Sequence, residues 1–204
     1  MRSLRIETPR GPAEVQLTDP AGPGVSQLFL GHGAGGGVHA PDLAGVHDAA
    51  VAAGVRVLLV TQPYRVAGRK APAPAGQLDE AWTAVVSALA DPAVPLLLGG
   101  RSSGARVACR TAAALGAAGV LALAFPLHPP GRPERSRAPE LPLDIPTLVV
   151  NGDRDPFGVP APAGEVQVAV RPGATHDLRK DLPATAAVVL TWLISHGWAD
   201  RGSV

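Results

Sequence analysis

This chain of 204 residues contains few aromatic side chains, and neither positive nor negative charge is in large excess. Aromatic residues make up only 3% of it although 46% of its residues are hydrophobic, so the core must be built from alanine, valine and leucine. Lysine and arginine number 18 and aspartate and glutamate 17, which gives a formal charge of +1. The sequence shows no basic stripe and no alternation of basic with aromatic residues, so nucleic acid is not an expected partner.

Cysteine is represented by Cys109 alone, so neither an intrachain disulfide nor a metal site built from several cysteines is expected. We expect Cys109 to be a small residue packed within a helix.

The first residues, MRSLRIETPRGPAE, contain no apolar stretch typical of a secretory signal. The uncharged stretch 111–127 approaches the length of a membrane span, but Gly116, Gly119 and Pro126 interrupt it. These features predict a cytoplasmic protein without a membrane anchor.

Glycine and proline number 24 and 22 and lie between apolar stretches, as turn residues do. The patterns predict helices at 41–53, 78–89, 103–115 and 182–196, and strands at 3–7, 13–18, 27–30, 55–61, 94–98, 120–125, 147–150 and 166–170. The strands near 28, 55, 94, 120 and 147 are continuous apolar runs, which is typical of parallel strands covered on both faces. We therefore predict a single α/β domain over residues 1–204, with a doubly wound, mostly parallel sheet and helices on both faces.

In such sheets ligands bind beyond the carboxyl ends of the strands, so the segments that follow the strands carry the functional information. One of them, GGRSSG, matches G-x-S-x-G between a predicted strand and a predicted helix. In that setting the serine lies on a sharp turn that exposes its hydroxyl, and the flanking positions must be small. Ser102 has Gly100 and Gly104 two positions to either side, so it is the predicted nucleophile rather than Ser103. The alternative is a turn whose serine only caps the helix.

A serine hydroxyl needs a base, and the base needs a group that orients it. His176 follows the last predicted strand and is the candidate base; a helix cap or a surface histidine is the alternative. The stretch NGDRDPFG supplies two candidate acids directly after a strand. We favour Asp155, because Asp153 is nearer the strand end and can hold the turn by a local hydrogen bond. Turn formation is the alternative role for both aspartates.

The stretch LFLGHGAGGG contains Gly31, Gly33 and Gly36 in a G-x-G-x-x-G pattern. A dinucleotide-binding loop would be followed, about 20 residues later, by an acidic residue at the end of the next strand. Thr61 and Gln62 occupy that place, and no Lys-Ser/Thr pair follows the glycines, so a phosphate-binding P-loop is excluded as well. We expect the glycines to let backbone N–H groups face an oxyanion instead.

The predicted oxyanion hole is formed by the N–H groups of Ala34 and Ser103. His32 is expected to hydrogen-bond the backbone of the glycine loop rather than to take part in the chemistry. Neighbouring residues at the predicted mouth of the site are candidates for contact with substrate: Gly33, Gly35, His39, Tyr64 and His128.

The order of HGAGG, GGRSSG, GDRDPFG and GATHDL resembles the α/β-hydrolase superfamily over about residues 27–197. It looks most similar to small dienelactone-hydrolase-like proteins, in the branch that includes the hydrolase-like domain of a nonspecific-lethal chromatin-complex subunit. The resemblance implies an eight-stranded sheet, or a trimmed version, and a triad of Ser102, Asp155 and His176. Dienelactone hydrolases carry a cysteine nucleophile, so their substrate is not carried over. The segment 126–142 provides only a short lid.

These patterns predict a serine hydrolase that acts on a small-molecule ester or thioester, as a monomer or homodimer and without a metal or organic cofactor. The short lid predicts an open, shallow site that favours short acyl chains. Two alternatives use the same scaffold: a hydrolase-like interaction module without catalysis, and an acyltransferase.

Overall fold

One sheet of eight strands organises residues 1–200, the part of the chain that the computed structural model describes. The strands are β1 (Arg2–Thr8), β2 (Gly11–Thr18), β3 (Ser26–Gly31), β4 (Val55–Thr61), β5 (Leu96–Arg101), β6 (Gly119–Leu123), β7 (Thr147–Gly152) and β8 (Val166–Arg171). The α-helices are α1 (Pro41–Ala52), α2 (Pro63–Val66), α3 (Ala75–Leu89), α4 (Ser103–Thr111) and α5 (Leu182–Ser195). Short 3₁₀ helices lie at Ala138–Glu140 and Arg179–Asp181.

The strand order is β1-β2-β4-β3-β5-β6-β7-β8. Strand β2 runs antiparallel to both β1 and β4, and every pair from β4 across to β8 is parallel. The predicted mostly parallel sheet is therefore confirmed. Because the parallel strands point the same way, the segments that follow β3, β5, β7 and β8 leave from one edge of the sheet.

The core lies on both faces of the sheet. In β3, Phe29 packs with Trp82 of α3 and with side chains of α4 on one face, whereas Leu28 and Leu30 pack with α1 and α5 on the other. Successive side chains of a strand alternate between faces, so a strand buried along its whole length requires cover on both. All six residues of β3 are buried. The predicted doubly wound arrangement is confirmed.

The element boundaries differ from the predicted ones in a few places. Helix α4 ends at Thr111 rather than at residue 115, because Gly116, with φ +66°, turns the chain towards β6 and the Ala117 N–H bonds the Ala112 carbonyl. Between β4 and the helix predicted at 78–89, where the sequence predicts no element, lies the short helix α2, which begins at Pro63. Among residues 1–200, no helix combines the length and the apolar character that crossing a lipid bilayer requires.

The ends of β3 and β5 and the start of α4 meet in direct backbone contact. A Cβ on Gly100 would lie 2.6 Å from the Gly31 carbonyl oxygen. A Cβ on Gly104 would overlap the same carbonyl group and would lie 2.9 Å from the His32 carbonyl oxygen. The two glycines that flank Ser102 in the sequence are therefore required by the approach of a neighbouring strand.

This contact predicts opposite effects of the same substitution in two helices. Gly104→Ala forces apart α4 and the end of β3 and should lower the free energy of unfolding by about 1–3 kcal/mol. Gly45→Ala in α1 meets nothing within 4 Å and should raise it by up to about 1 kcal/mol, because alanine favours helix more than glycine does. Urea unfolding followed by circular dichroism measures both. Equal stability of wild type and Gly104→Ala would contradict the assigned contact.

Candidate active site

Ser102 stands between β5 and α4 in a conformation that L-residues rarely adopt, with φ +53° and ψ −109°. Such a backbone costs about 1–3 kcal/mol and persists only where its surroundings hold it. Here the Ser102 N–H donates to the Leu123 carbonyl at 2.9 Å, and the Ser102 carbonyl accepts from the Arg106 N–H at 3.2 Å. The Ser102 hydroxyl does not cap α4; of the described residues, its partner is His176.

The structure brings Ser102, His176 and Asp155 into one hydrogen-bonded row. His176 Nε2 lies 2.9 Å from Ser102 Oγ, and His176 Nδ1 lies 2.8 Å from Asp155 Oδ2. A carboxylate can only accept, so the imidazole carries its proton on Nδ1 and presents Nε2 to the hydroxyl. The Asp155 side chain is 0% exposed and the His176 side chain 20% exposed. The row therefore begins in the protein interior and ends at the surface.

The geometry also separates the two candidate acids. Asp153 Oδ1 accepts from the Gly173 N–H at 2.6 Å, which joins the turn after β7 to the turn after β8. Asp155 Oδ1 accepts from the Phe157 N–H at 2.9 Å, which leaves Oδ2 for the imidazole. A Cβ on Gly152 would overlap the Ala174 carbonyl group, so these two turns touch through their backbones.

Phe157 is a site residue that sequence reasoning missed. Its ring centroid lies 4.3 Å from that of His176, with 33° between the ring planes. The phenyl ring thus covers one face of the imidazole and limits the directions in which it can rotate. The signal for it in the sequence is its position two residues after Asp155 in GDRDPFG.

The glycine loop after β3 lies against Ser102. A Cβ on Gly33 would lie 3.6 Å from the Ser102 Cβ. The loop is held from behind by the Tyr64 hydroxyl, which donates to the Ala34 carbonyl at 2.8 Å, and by a turn in which the Gly36 N–H donates to the Gly33 carbonyl. Tyr64 therefore supports this loop, and its contact with substrate stays a prediction.

His32 makes two hydrogen bonds to backbone groups. Its Nδ1 lies 2.8 Å from the Gly33 carbonyl oxygen, and its Nε2 accepts from the Gln62 N–H at 3.1 Å. The ring is therefore the neutral tautomer that carries its proton on Nδ1. Burial lowers the pKa of His32 below its ordinary value, and the nearby Arg65 charge adds to the effect. As predicted, this histidine holds loop backbone.

The other predicted contact residues have the following surroundings. His39 lines a cavity of about 360 Å³ together with Arg101 and Asp42, and its Nε2 lies 3.1 Å from the Gln16 amide nitrogen. The backbone N–H of His128 donates to the Phe157 carbonyl at 3.0 Å. Gly35 is open on the side where a Cβ would project. Ser103 is the first residue of α4 and lines a second cavity, of about 10 Å³.

Arg101 is the second residue that the sequence did not single out for a role. Its Nε lies 2.9 Å from Asp42 Oδ2 in an ion pair, and its Nη2 donates to the His176 carbonyl at 3.0 Å. Burial raises the pKa of the Asp42 carboxyl, and the Arg101 charge opposes that rise. The residue before Ser102 is thus bonded to the residue that carries the imidazole.

The structure gives no reactive role to the one cysteine of the sequence. Cys109 is buried within α4, as predicted, and burial raises the pKa of its thiol to about 12. It stays protonated near neutral pH and cannot act as a thiolate. Within residues 1–200, no group of three or more His, Cys, Asp or Glu side chains is arranged to hold a metal ion.

A sequence model of the family described as "Alpha/beta hydrolase domain" matches residues 25–182. An α/β serine hydrolase homologue from Coxiella burnetii is 20% identical with a TM-score of 0.77, over 93% of this chain and 96% of that one. An α/β serine hydrolase without a lid, from Xanthomonas campestris, is 20% identical with a TM-score of 0.76, over 99% and 96%. A dienelactone hydrolase from Anabaena variabilis is 18% identical with a TM-score of 0.72, over 95% and 96%. No curated protein sequence matches the chain.

The burial of His32 predicts a pH dependence of stability. The unfolded chain binds a proton at this side chain near pH 6.5, whereas the folded chain resists it because its pKa is lower. Stability from this group is therefore complete above about pH 6.5 and falls as the pH falls below that value. In urea unfolding between pH 7 and pH 5, His32→Asn should lose less stability than wild type does. Parallel losses in the two proteins would contradict the assignment, since every other histidine is common to both.

Proposed function

The chain belongs to the α/β-hydrolase domain family, and from that membership we propose that it is a serine hydrolase that cleaves a carboxylic ester or thioester. The observation that carries the proposal is the row Ser102–His176–Asp155, with separations of 2.9 Å and 2.8 Å. A strained serine at a strand-to-helix turn, facing an imidazole that a buried carboxylate orients, is suited to nucleophilic attack on an acyl carbon.

In the proposed reaction, Ser102 Oγ attacks the acyl carbon while His176 Nε2 takes its proton. The negative charge that develops on the carbonyl oxygen is met by the N–H groups of Ala34 and Ser103. Such donors are typically worth about 2.7–4 kcal/mol each. His176 then gives its proton to the leaving alcohol or thiol, and an acyl group remains on Ser102. A water that loses its proton to Nε2 attacks the acyl-enzyme, releases the acid and restores the hydroxyl. Asp155 stabilises the imidazolium in both halves.

A fluorophosphonate probe tests the nucleophile directly. The wild-type protein should gain the mass of one adduct, located on Ser102 by peptide mapping, because phosphonylation uses the same base and oxyanion donors as acylation. Ser102→Ala should gain none. Ser87→Ala removes an exposed hydroxyl from α3 and should react at the wild-type rate, which controls for the loss of a serine as such.

Other labelling results would contradict the proposed function or the assignment of Ser102. An unmodified wild-type protein would contradict the proposal and favour a hydrolase-like interaction module. An adduct on another residue would contradict the assignment of Ser102. If the adduct forms on Ser102, product analysis with an added alcohol distinguishes hydrolysis from acyl transfer, because a transferase would yield the new ester in place of the acid.

The surroundings of the row favour short acyl chains. The cavity of about 360 Å³ beside it is lined by charged groups, among them Asp42, Arg101, Asp177 and Arg179, and the cavity at Ser103 has only about 10 Å³. The segment after β6 packs on the turn that bears Asp155, since the His128 N–H bonds the Phe157 carbonyl. A long chain therefore gains little of the roughly 0.8 kcal/mol per buried methylene that an apolar tunnel supplies.

For p-nitrophenyl esters from acetate to palmitate, we expect kcat/KM to be highest at acetate to butyrate and to fall with further methylenes. Initial rates below the solubility limit of each ester measure this. A maximum at palmitate would contradict the short, polar site.

A further inference from the structure

Arg101 contacts three segments that surround Ser102. Its Nε pairs with Asp42 Oδ2 at the start of α1, at 2.9 Å. Its Nη2 donates to the backbone carbonyl of His176, at 3.0 Å. Its Nη1 lies so close to Gly33 that a Cβ there would stand 2.8 Å away. One guanidinium therefore touches the segment that carries the base, the glycine loop and the helix that follows that loop.

The stability of the ion pair does not by itself explain why it is there. The Asp42 side chain is 1% exposed and that of Arg101 17% exposed. Removing two charges from water costs several kcal/mol per ion, and a buried pair returns this only with good geometry and further hydrogen bonds. Such pairs are often no better for stability than apolar residues of the same volume. A role in holding the surrounding segments accounts for the pair more directly.

The segment that carries the base needs holding. Leu178, two residues after His176, has φ +52° although it is not a glycine. A strained residue of this kind keeps its conformation only when neighbouring contacts determine it. Two such contacts are the bond from Arg101 to the His176 carbonyl and the burial of Leu178 in the core with α1 and α5.

We infer that Arg101 is a positioning residue: held by Asp42, it fixes the main chain of His176 and the glycine loop relative to Ser102. Lysine cannot replace it, because a single ammonium does not offer the planar fork that reaches Asp42 and the His176 carbonyl together. This inference rests on the proposed serine-hydrolase function. Arg101 does not touch the reacting atoms, so its loss should slow acylation without abolishing it.

The test compares Arg101→Ala, Arg101→Lys and Arg110→Ala with the wild type. Arg110 is a matched control: it lies on α4, its side chain is 19% exposed, and it forms ion pairs with Asp79 and Glu140 instead. We expect the rate of fluorophosphonate labelling and kcat to fall about 10- to 100-fold in both Arg101 variants, as misplacement of a reacting group by an ångström does. Arg110→Ala should keep the wild-type rate although it loses stability.

Chemical rescue distinguishes positioning from a general effect on folding. Arg101 lines the cavity of about 360 Å³, so its removal leaves room for free guanidinium next to Asp42. Guanidinium chloride at low, non-denaturing concentration should restore part of the rate of Arg101→Ala, and ammonium chloride at equal ionic strength should restore none. Guanidinium should not accelerate Arg110→Ala, because the space left by that variant lies next to Asp79 and Glu140. It should not accelerate Arg101→Lys either, because the lysine side chain fills the space next to Asp42.

The outcomes separate the inference from the function on which it rests. A wild-type protein that gains no adduct would overturn both. A wild-type protein that reacts on Ser102, together with Arg101→Lys at the wild-type rate, would overturn the inference alone. So would a folded Arg101→Ala that is slow but insensitive to guanidinium. If Arg101→Ala does not fold, Arg101→Lys decides, because it keeps the charge opposite Asp42.

Discussion

The arrangement of the site depends on a contact between the ends of β3 and β5, where glycines let the two backbones approach each other directly. Gly31 of β3 meets Gly100 and Gly104, which stand on either side of Ser102. That approach lets the chain turn sharply at Ser102 and adopt φ +53° there. It also brings the glycine loop that continues β3 to within contact of the serine. A single methyl group on Gly100 or Gly104 would force the turn at Ser102 away from the end of β3.

A second contact of the same kind joins the other half of the site. Gly152 at the end of β7 touches the Ala174 carbonyl group in the turn after β8, and Asp153 links the same two turns through the Gly173 N–H. The turns that bear Asp155 and His176 are therefore fixed relative to each other by their backbones. What remains is to fix this pair relative to the serine, and two contacts span that gap: the bond from His176 to Ser102 and the one from Arg101 to the His176 carbonyl.

The features that the sequence predicts well are those with a local cause. Continuous apolar strands require cover on both faces, and this yields the parallel, doubly wound sheet. The glycines around Ser102 indicate a sharp turn whatever lies across from it. The sequence does not predict the roles of Phe157, Asp42 and Arg101, because these residues act through contacts between segments distant in the chain. An arginine before a serine, for example, has no periodicity or spacing that points to a partner in α1. Likewise, both aspartates of GDRDPFG suit a turn, and only the position of the imidazole separates them. The oxyanion donors and the chemistry stay predictions.

The order of the strands in space has a consequence for synthesis. Strand β3 is made early but lies in the middle of the sheet, between β4 and β5, whereas the imidazole lies beyond β8 and the adjacent helix α5 packs on the face that α1 also covers. A ribosome-bound chain that has folded only its first five strands carries Ser102 without Asp155 or His176, which follow β7 and β8. On the proposed function, the site is complete only when the distal edge of the sheet has joined, and a partly made chain would neither consume substrate nor be trapped as an acylated fragment.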